Sequence, residues 1–385
     1  MRRLVFTAGP SDLLIQTNCV PRPYGRGYLP AALRACCNMR SDRCYLQAFL
    51  AKAMLIRFPL LLGQSLLIIQ LMSVPVFSQK KDAALFPVRQ NGKWGYIDRK
   101  GSLVIQPQFD EAWDFSEGLA YVKTAGRRGI INQNGKTIID LQQVDFAGRF
   151  SEGLAPAQTG GANPRWGFID RNGRIVINPQ FDAVENFHEG LAVVMLARKY
   201  GFIDKKGRAV VPPQFDKAFD FYDGMALVVN NNRLGFINKT GKVIVPPQFY
   251  NAFHFSEGLA NVKVGDKYGY IDKTGKIVIA PQFYYAGTFA EGLAPVIAAN
   301  KFGYISKTGE IVIKPQFDWS GGFAEGLAVV KSGKKSGYID RSGAIVIRPQ
   351  FDNASDFAEG LAKVSVGGKQ GYIDKTGAFV WQPSR

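Results

Sequence analysis

Histidine is nearly missing from this sequence, with 2 in 385 residues, and no cysteine follows Cys44. The four cysteines (Cys19, Cys36, Cys37 and Cys44) sit together near the start, with no Cys-x-x-Cys pair and no histidine beside them. That spacing matches no zinc site, and disulfides are excluded from everything after Ala53. Also absent are a Gly-x-Ser-x-Gly nucleophile elbow, a phosphate loop and a dinucleotide-binding glycine cluster that follows a strand and opens a helix. No convincing helical period occurs beyond Ala84. Acidic residues are scarce, 31 against 48 basic, for a net charge of +17. With 46% hydrophobic and 21% charged residues, the composition is not that of a disordered chain. The length alone would suggest two or three domains.

The first 53 residues hold seven Arg and one Lys against Asp12 and Asp42, and show neither a 3.6 nor a 2 residue period. Residues 54–78 then have the layout of a secretory signal peptide. Arg57 supplies a short positive start, Leu60 to Met72 an apolar core, and Val76 and Ser78 small residues before Gln79. The apolar run is short for an ordinary spanning helix. The expectation is that Met54 is the true start, that residues 1–53 are upstream reading frame or a disordered extension, and that the exported chain begins at Gln79. A poorly ordered extension ahead of an N-terminal membrane anchor is the alternative. The absence of cysteine after the apolar run argues against a lipoprotein.

What the sequence has in excess is glycine, 42 residues, and phenylalanine, 28. Both belong to an internal repeat. The glycine of Trp94-Gly95-Tyr96-Ile97-Asp98 recurs as Gly129, Gly167, Gly201, Gly235, Gly269, Gly303, Gly337 and Gly371, at spacings of 34, 38 and then 34 throughout. A second glycine recurs in Glu117-Gly118-Leu119-Ala120 and its copies, and Pro-Gln-Phe recurs between the two. The second unit is worn. It lacks Pro-Gln-Phe, and it is extended near Gly148 and around Gly160 to Pro164, which predicts a loop there.

Each unit reads as three short strands. Strand A resembles Tyr268–Asp272, strand B Lys276–Ile279 and strand C Leu259–Lys263. Asp272 to Gly275 suits a type I turn between A and B. Proline in Pro-Gln-Phe is expected to end B. Consecutive apolar residues in B predict burial on both faces. Pro87, Pro156 and Pro295 occupy one position of C, so C is expected to have an edge-like side. The series opens with a strand C at Ala84–Val88 and closes with A and B at Phe379–Pro383. The fold expected is all-β: tandem 34-residue three-stranded meanders over 84–385, forming a curved, open, solenoid-like array. A closed β-propeller-like ring is the alternative. Propellers of four-stranded blades, four to eight in number, fit three-stranded units repeated nine times poorly.

The sequence Lys93-Trp94-Gly95-Tyr96-Ile97-Asp98, with Pro-Gln-Phe and Phe-Ser-Glu-Gly-Leu-Ala after it, resembles the WG-repeat (KWG) family of bacterial proteins. The resemblance runs from Ala84 to the C-terminus. Only Trp94 and Trp166 keep the tryptophan, which weighs against a tryptophan ladder. The resemblance implies an all-β repeat protein, often exported, and implies no catalytic activity and no particular ligand.

Four rows of side chains are candidates for function. The glutamates before Gly-Leu-Ala (Glu117, Glu152, Glu189, Glu257, Glu291, Glu325, Glu359, with Asp223) occupy near-identical environments, whereas a catalytic carboxylate pair needs two different ones. They read as turn residues. The aspartates of the A–B turn, with lysine and arginine beside them, read as turn formers rather than calcium ligands. A basic residue precedes strand A in every unit: Lys93, Arg127, Arg165, Lys199, Arg233, Lys267, Lys301, Lys335 and Lys369. Stacked in register, these would form a ladder suited to a polyanion. The A–B turns add a second basic set, Arg99, Arg171, Lys205, Lys239, Lys273, Lys307, Arg341 and Lys375. An aromatic row (Tyr96, Phe168, Phe202, Phe236, Tyr270, Tyr304, Tyr338, Tyr372) is either core or a sugar-stacking face. His188 and His254 stand at non-equivalent positions and read as half-buried or surface residues.

The functional expectation is therefore an exported, secreted or periplasmic, non-enzymatic scaffold that binds protein or an anionic envelope polymer. No cofactor or metal is expected, and nucleic acid would be reached only without export. Membrane contact is expected only through an uncleaved N-terminal segment. A carbohydrate-binding module using the aromatic row is the second reading, and a propeller-type hydrolase the third.

Overall fold

The computed structural model describes residues 84–384, apart from 142, 143, 145 and 162. The leader, the Met54 start and the cleavage after Ser78 lie outside those residues. The described chain forms nine small antiparallel sheets, one after another. In a complete sheet such as Ala183–His188, Leu191–Leu196, Lys199–Asp204 and Ala209–Phe215, four strands meander in chain order. The last three are strands C, A and B of the repeat. The first is a short strand between Pro-Gln-Phe and the Glu-Gly turn that the three-strand reading omits. Two sheets, 86–109 and 259–283, have three strands, the second with a single bridge, Ala252 to Val262, in place of the fourth.

Buried side chains show how the sheets are arranged. Every hydrophobic cluster is shared by two sheets, and all but one join sheets consecutive in the chain. One joins Leu191, Val193, Phe202, Val211 and Phe215 to Ala218, Phe221, Ala226, Val228 and Ile237. Strand A sends Tyr270 into the cluster it shares with the following sheet and Ile271 into the cluster with the preceding one. Each sheet thus packs on both faces, which is why A and C carry apolar residues consecutively.

An open row of nine sheets has eight such interfaces. There are nine. The ninth joins Val88, Ile97, Phe86 and Leu103 of the first sheet to Leu361, Tyr372, Val380 and Trp381 of the last. The Tyr372 hydroxyl donates to the carbonyl of Pro87 at 3.1 Å, the rings of Phe86 and Tyr372 lie 5.5 Å apart, and Arg99 pairs with Glu359. The open array is therefore incorrect. The chain closes into a nine-bladed β-propeller, with blades 86–109, 111–140, 146–181, 183–215, 217–249, 252–283, 285–317, 319–351 and 353–384. Among the described residues no strand pair joins the ends. Closure comes from packing, one blade face against another.

Three strand-level expectations change with it. Strand B is not buried on both faces. It is the outermost strand, and Val176, Val278, Ile311 and Ile345 stand 44–54% exposed on it. It also does not stop before Pro-Gln-Phe. It runs through it, as in Ile277–Phe283. Its pairing with A breaks where Tyr268 faces Phe283 and Tyr270 faces Ile279, so Gly269 stands opposite a bulge of three residues. Strand C is interior in the four-stranded blades and an edge in the first, where Pro87 needs no partner for a missing N–H. Pro156 and Pro295 are interior and are tolerated because the inner strand bulges opposite them: the backbone N–H of Gly148 reaches the carbonyl of Pro156, and that of Gly287 the carbonyl of Pro295. The worn unit does place a break where expected: strand C ends at Gln158 and strand A begins at Trp166, and the Thr159 N–H donates to the carbonyl of Arg165.

Candidate functional site

The Glu-Gly pairs form two-residue hairpins between the inner strand and C. Ser116 and Leu119 exchange both backbone hydrogen bonds, and Glu117 and Gly118 both have positive φ, 52° and 74°. That is the type I′ pattern. Glutamate is an unusual choice, since a left-handed conformation costs a side-chain-bearing residue about 1–2 kcal/mol. The reason lies in the next blade. The N–H groups of Glu152 and Gly153 donate to the Glu117 carboxylate at 2.7 and 3.0 Å, and those of Gly190, Gly224, Gly292, Gly326 and Gly360 donate to Glu152, Glu189, Glu257, Glu291 and Glu325. Asp223 does the same for Gly258 at 2.6 Å. A hydrogen bond to a charged acceptor contributes about 1.5–3 kcal/mol, enough to offset the strain. The row is thus a turn residue, as expected, and also a link between blades.

The second basic set lies on the same face. Arg171, Lys205, Lys239, Lys307 and Lys375 reach back to the glutamate of the preceding blade, at 3.0 Å for Lys205 to Glu152. Arg99 to Glu359 is the same link across the closure. The A–B aspartates cap their own turns: Asp272 Oδ1 accepts the N–H of Thr274 and of Lys276. Hydrogen bonding by the Thr274 hydroxyl and these N–H groups lowers the Asp272 carboxyl below its usual range.

On the opposite face lies the basic row that precedes strand A. Lys199 Nζ is 2.7 Å from Asp216 and Lys335 Nζ 2.6 Å from Asp352; Lys93, Arg165 and Lys301 pair likewise with Asp110, Asp182 and Asp318. Each aspartate follows Pro-Gln-Phe and opens the next blade. Its second oxygen accepts an N–H of that blade's C–A turn, as from Asn231 to Asp216. A ladder of bare positive charge is therefore not what the ring presents at these five junctions. Two positions differ. Where the aspartate would be, Tyr250 and Tyr284 stand 69% and 60% exposed. The Arg233 guanidinium lies 3.4 Å from the Tyr250 ring centre and Lys267 Nζ 2.9 Å from that of Tyr284. Arg127 and Lys369, which end the row's register at the worn unit and the last blade, have no such junction aspartate in the described chain.

The aromatic row is core. Tyr96, Phe168, Phe202, Phe236, Tyr270, Tyr304 and Tyr338 are 0% exposed and Tyr372 6%. The hydroxyls of Tyr96, Tyr270, Tyr304 and Tyr338 donate to a backbone carbonyl of the next blade's inner strand, Gly287 O at 2.8 Å in the case of Tyr270. No sugar can stack on rings so placed.

Nearest the axis, the inner strands carry residues that sequence reading passed over. Val184 pairs with Val194 but Phe187 with Ala192, so Glu185 and Asn186 share a bulge, as do Phe219 and Asp220 in the next blade. These two positions differ from unit to unit, although the phenylalanine that follows them recurs as Phe187, Phe221, Phe255, Phe289, Phe323 and Phe357. Burial, and then the neighbouring Glu185, push the Asp220 carboxyl up to about 7, and burial raises Glu185, which is reached by solvent but hemmed in by blades. Tyr222 stacks between His188, at 4.4 Å, and His254, at 4.2 Å. Burial, and then His188, hold His254 down at about 4, so it is neutral near pH 7. The signal available in the sequence was the variability of this one pair of positions. Among the described residues, no cluster of three metal-ligating side chains forms. A cleft of about 280 Å³ opens at the seam, lined by Trp94, Trp381, Tyr372 and Pro87 among others.

A family model described as "WG containing repeat" matches residues 94–127, 129–161, 166–200, 200–233, 235–268, 268–301, 302–335 and 337–369. The chain belongs to that family. Outside the worn unit, where Gly129 pairs directly with Asp140, the WG glycine is the one that faces the strand B bulge, whether or not tryptophan precedes it. No curated protein matches the chain. Among solved structures, a crystal structure of the eukaryotic initiation factor is similar at a TM-score of 0.56 and 12% identity, over 77% of this chain and 94% of that one. At that identity the likeness concerns the fold alone, and it sides with the closed ring. Kluyveromyces lactis Hsv2p (TM-score 0.36, 8% identity, 60% of this chain and 92% of that) and the dihydro-heme d1 dehydrogenase NirN in complex with DHE (0.41, 14%, 70% and 73%) resemble it more loosely.

Proposed function

We propose that this WG-repeat propeller is an exported, non-enzymatic scaffold that binds a protein or an anionic polymer of the cell envelope. The observation that carries the reading is the use the ring makes of its repeated side chains. The glutamates, the turn aspartates and the aromatic row each perform one structural task, blade after blade. A catalytic pair needs carboxylates in contrasting environments, and the repeated rows supply uniform ones. The buried aromatic row removes the support for a sugar-stacking module. Outside the repeated rows lie the varied residues near the axis and the surface of the two faces, and net positive charge favours anionic partners there. The leader layout around Arg57, Leu60–Met72 and Ser78 supports export, to the periplasm or beyond.

Two measurements test this. Mass spectrometry of the purified protein should find Gln79 at the N-terminus; a peptide from residues 1–53 would overturn the leader reading. Binding to envelope fractions should weaken as salt rises and ignore neutral sugars. Binding that survives high salt and is competed by neutral sugars would overturn the anionic-partner reading.

A further inference from the structure

Of the nine basic residues that precede strand A, five meet a junction aspartate, Arg127 and Lys369 meet neither aspartate nor tyrosine in the described chain, and two, at adjacent junctions, meet a tyrosine. From blade to blade the residue after Pro-Gln-Phe is Asp110, Asp182, Asp216, Asp318 or Asp352, each neutralising a basic side chain 17 positions earlier. At the junctions that open the sixth and seventh blades it is Tyr250 and Tyr284. The partner cation is kept in both, as Arg233 and Lys267, and rests on the ring. An aromatic face attracts a cation without cancelling its charge. Each junction therefore gains one uncompensated positive charge and a large exposed ring. Among the described residues neither cation has a carboxylate at ion-pair distance, and Asp266, on the turn beside Lys267, joins no ion pair.

Resting on the anionic-partner reading above, we propose that Tyr250, Tyr284, Arg233 and Lys267 form a binding site for an acidic polysaccharide. Two observations select that class. The same cation-and-ring element occurs twice at one blade interval, so the surface matches a ligand that itself repeats. Each element pairs a positive charge with an open ring, which suits a sugar unit carrying a carboxylate: the charge takes the acid and the ring the apolar sugar face. The other five acid-paired junctions lack both features.

The repeat itself supplies the variant. Tyr250→Asp with Tyr284→Asp installs the residue that five other junctions already hold, so folding is preserved while the charge is neutralised and the rings are removed. Binding of the purified protein to polygalacturonate is measured by titration calorimetry, with dextran as the neutral polymer and polyglutamate as the protein-like polyanion. The expected result is binding to polygalacturonate, none to dextran, and a loss of roughly 30-fold in the double variant with an unchanged melting temperature. Asp318→Tyr, which extends the element to the next junction, should tighten binding. If the double variant binds polygalacturonate as well as the wild type does, the site is wrong and the anionic-partner reading survives. If the wild type binds polyglutamate and not polygalacturonate, the polysaccharide assignment is overturned. If it binds neither, the anionic-partner reading falls with it.

Discussion

Replacing the WG glycine of the fifth blade, Gly235→Ala, should damage the fold through space rather than through backbone conformation. A Cβ at this position would stand 2.5 Å from the carbonyl oxygen of Val245 and 2.6 Å from the nitrogen of Pro247. Both atoms are backbone of strand B, so no side chain can swing aside. Restoring ordinary contact requires moving the strand by about 1 Å, and overpacking of this kind costs about 3 kcal/mol. Unfolding entropy near 2.1 cal/mol/K per residue gives about 0.6 kcal/mol/K for roughly 300 residues, so the melting temperature should fall by about 5 °C. The comparison is Gly258, whose φ is +89° and whose Cβ would meet nothing within 4 Å. There Asn, which tolerates positive φ, should be accepted with a loss of under about 1 kcal/mol. At Gly235, Asn should be at least as harmful as Ala. Differential scanning calorimetry of the three variants decides it. If Gly235→Ala melts within a degree of the wild type, the close approach of strands A and B is not the reason for the WG glycine.

Three further outcomes follow from the contacts between blades and near the axis. Glu257→Ala removes the acceptor for the Gly292 N–H and the partner of Lys307, and should cost about 1–2 kcal/mol by calorimetry; Glu257→Asp should be nearly neutral, because Asp223 does the same work one blade earlier. The A–B turn aspartates, Asp272 and Asp340 among them, are held below the ordinary aspartate value of about 3.9 by hydrogen bonds from Thr274 and Ser342 and from backbone N–H groups. Their contribution is complete above that value and is lost as pH falls through the lower folded pKa, so the melting temperature should drop steeply only below about pH 4. Asp220 has the opposite sign: burial and Glu185 raise it to about 7, so the folded protein keeps a proton that the unfolded chain gives up, and stability declines as pH climbs from about 4 to about 7. Asp220→Asn should therefore raise the melting temperature at pH 8 and leave it unchanged at pH 4, and an equal effect at both would contradict the assignment.

The local structure was legible because it is written in residues with few uses. The Asp-Lys-Thr-Gly turn, the apolar runs of A and C and the phenylalanine of Pro-Gln-Phe all behave as their chemistry dictates. The fourth strand was hidden by its own bulge. Ala286-Gly287-Thr288 and Ser320-Gly321-Gly322 break the alternation that marks a strand, and their composition changes from unit to unit. Strand B misled for another reason: Ile311 and Val312 look like buried β-residues, but they lie on the outer rim, on a strand that runs on through Pro-Gln-Phe with only its pairing to A broken by the bulge. Closure was not legible at all, since an open row and a ring use the same hairpins and the same blade-to-blade contacts. The deciding contacts, Tyr372 to Pro87 and Arg99 to Glu359, span nearly the whole array. The basic row was visible in sequence, but its neutralisation required knowing that the aspartate 17 residues later folds back onto it. That same register exposed Tyr250 and Tyr284 as departures.

The closed ring is tested most directly across its seam. Cysteines are absent after Cys44, so spin labels can be placed at will in the repeat region. One pair is Arg99→Cys with Glu359→Cys, between the first and last blades. The reference pair is Lys205→Cys with Glu152→Cys, the same contact between two consecutive blades. Pulsed electron–electron resonance should give the two pairs the same short, narrow distance distribution. A long or broad distribution for the seam pair, beside a short one for the reference, would contradict the ring and restore the open array.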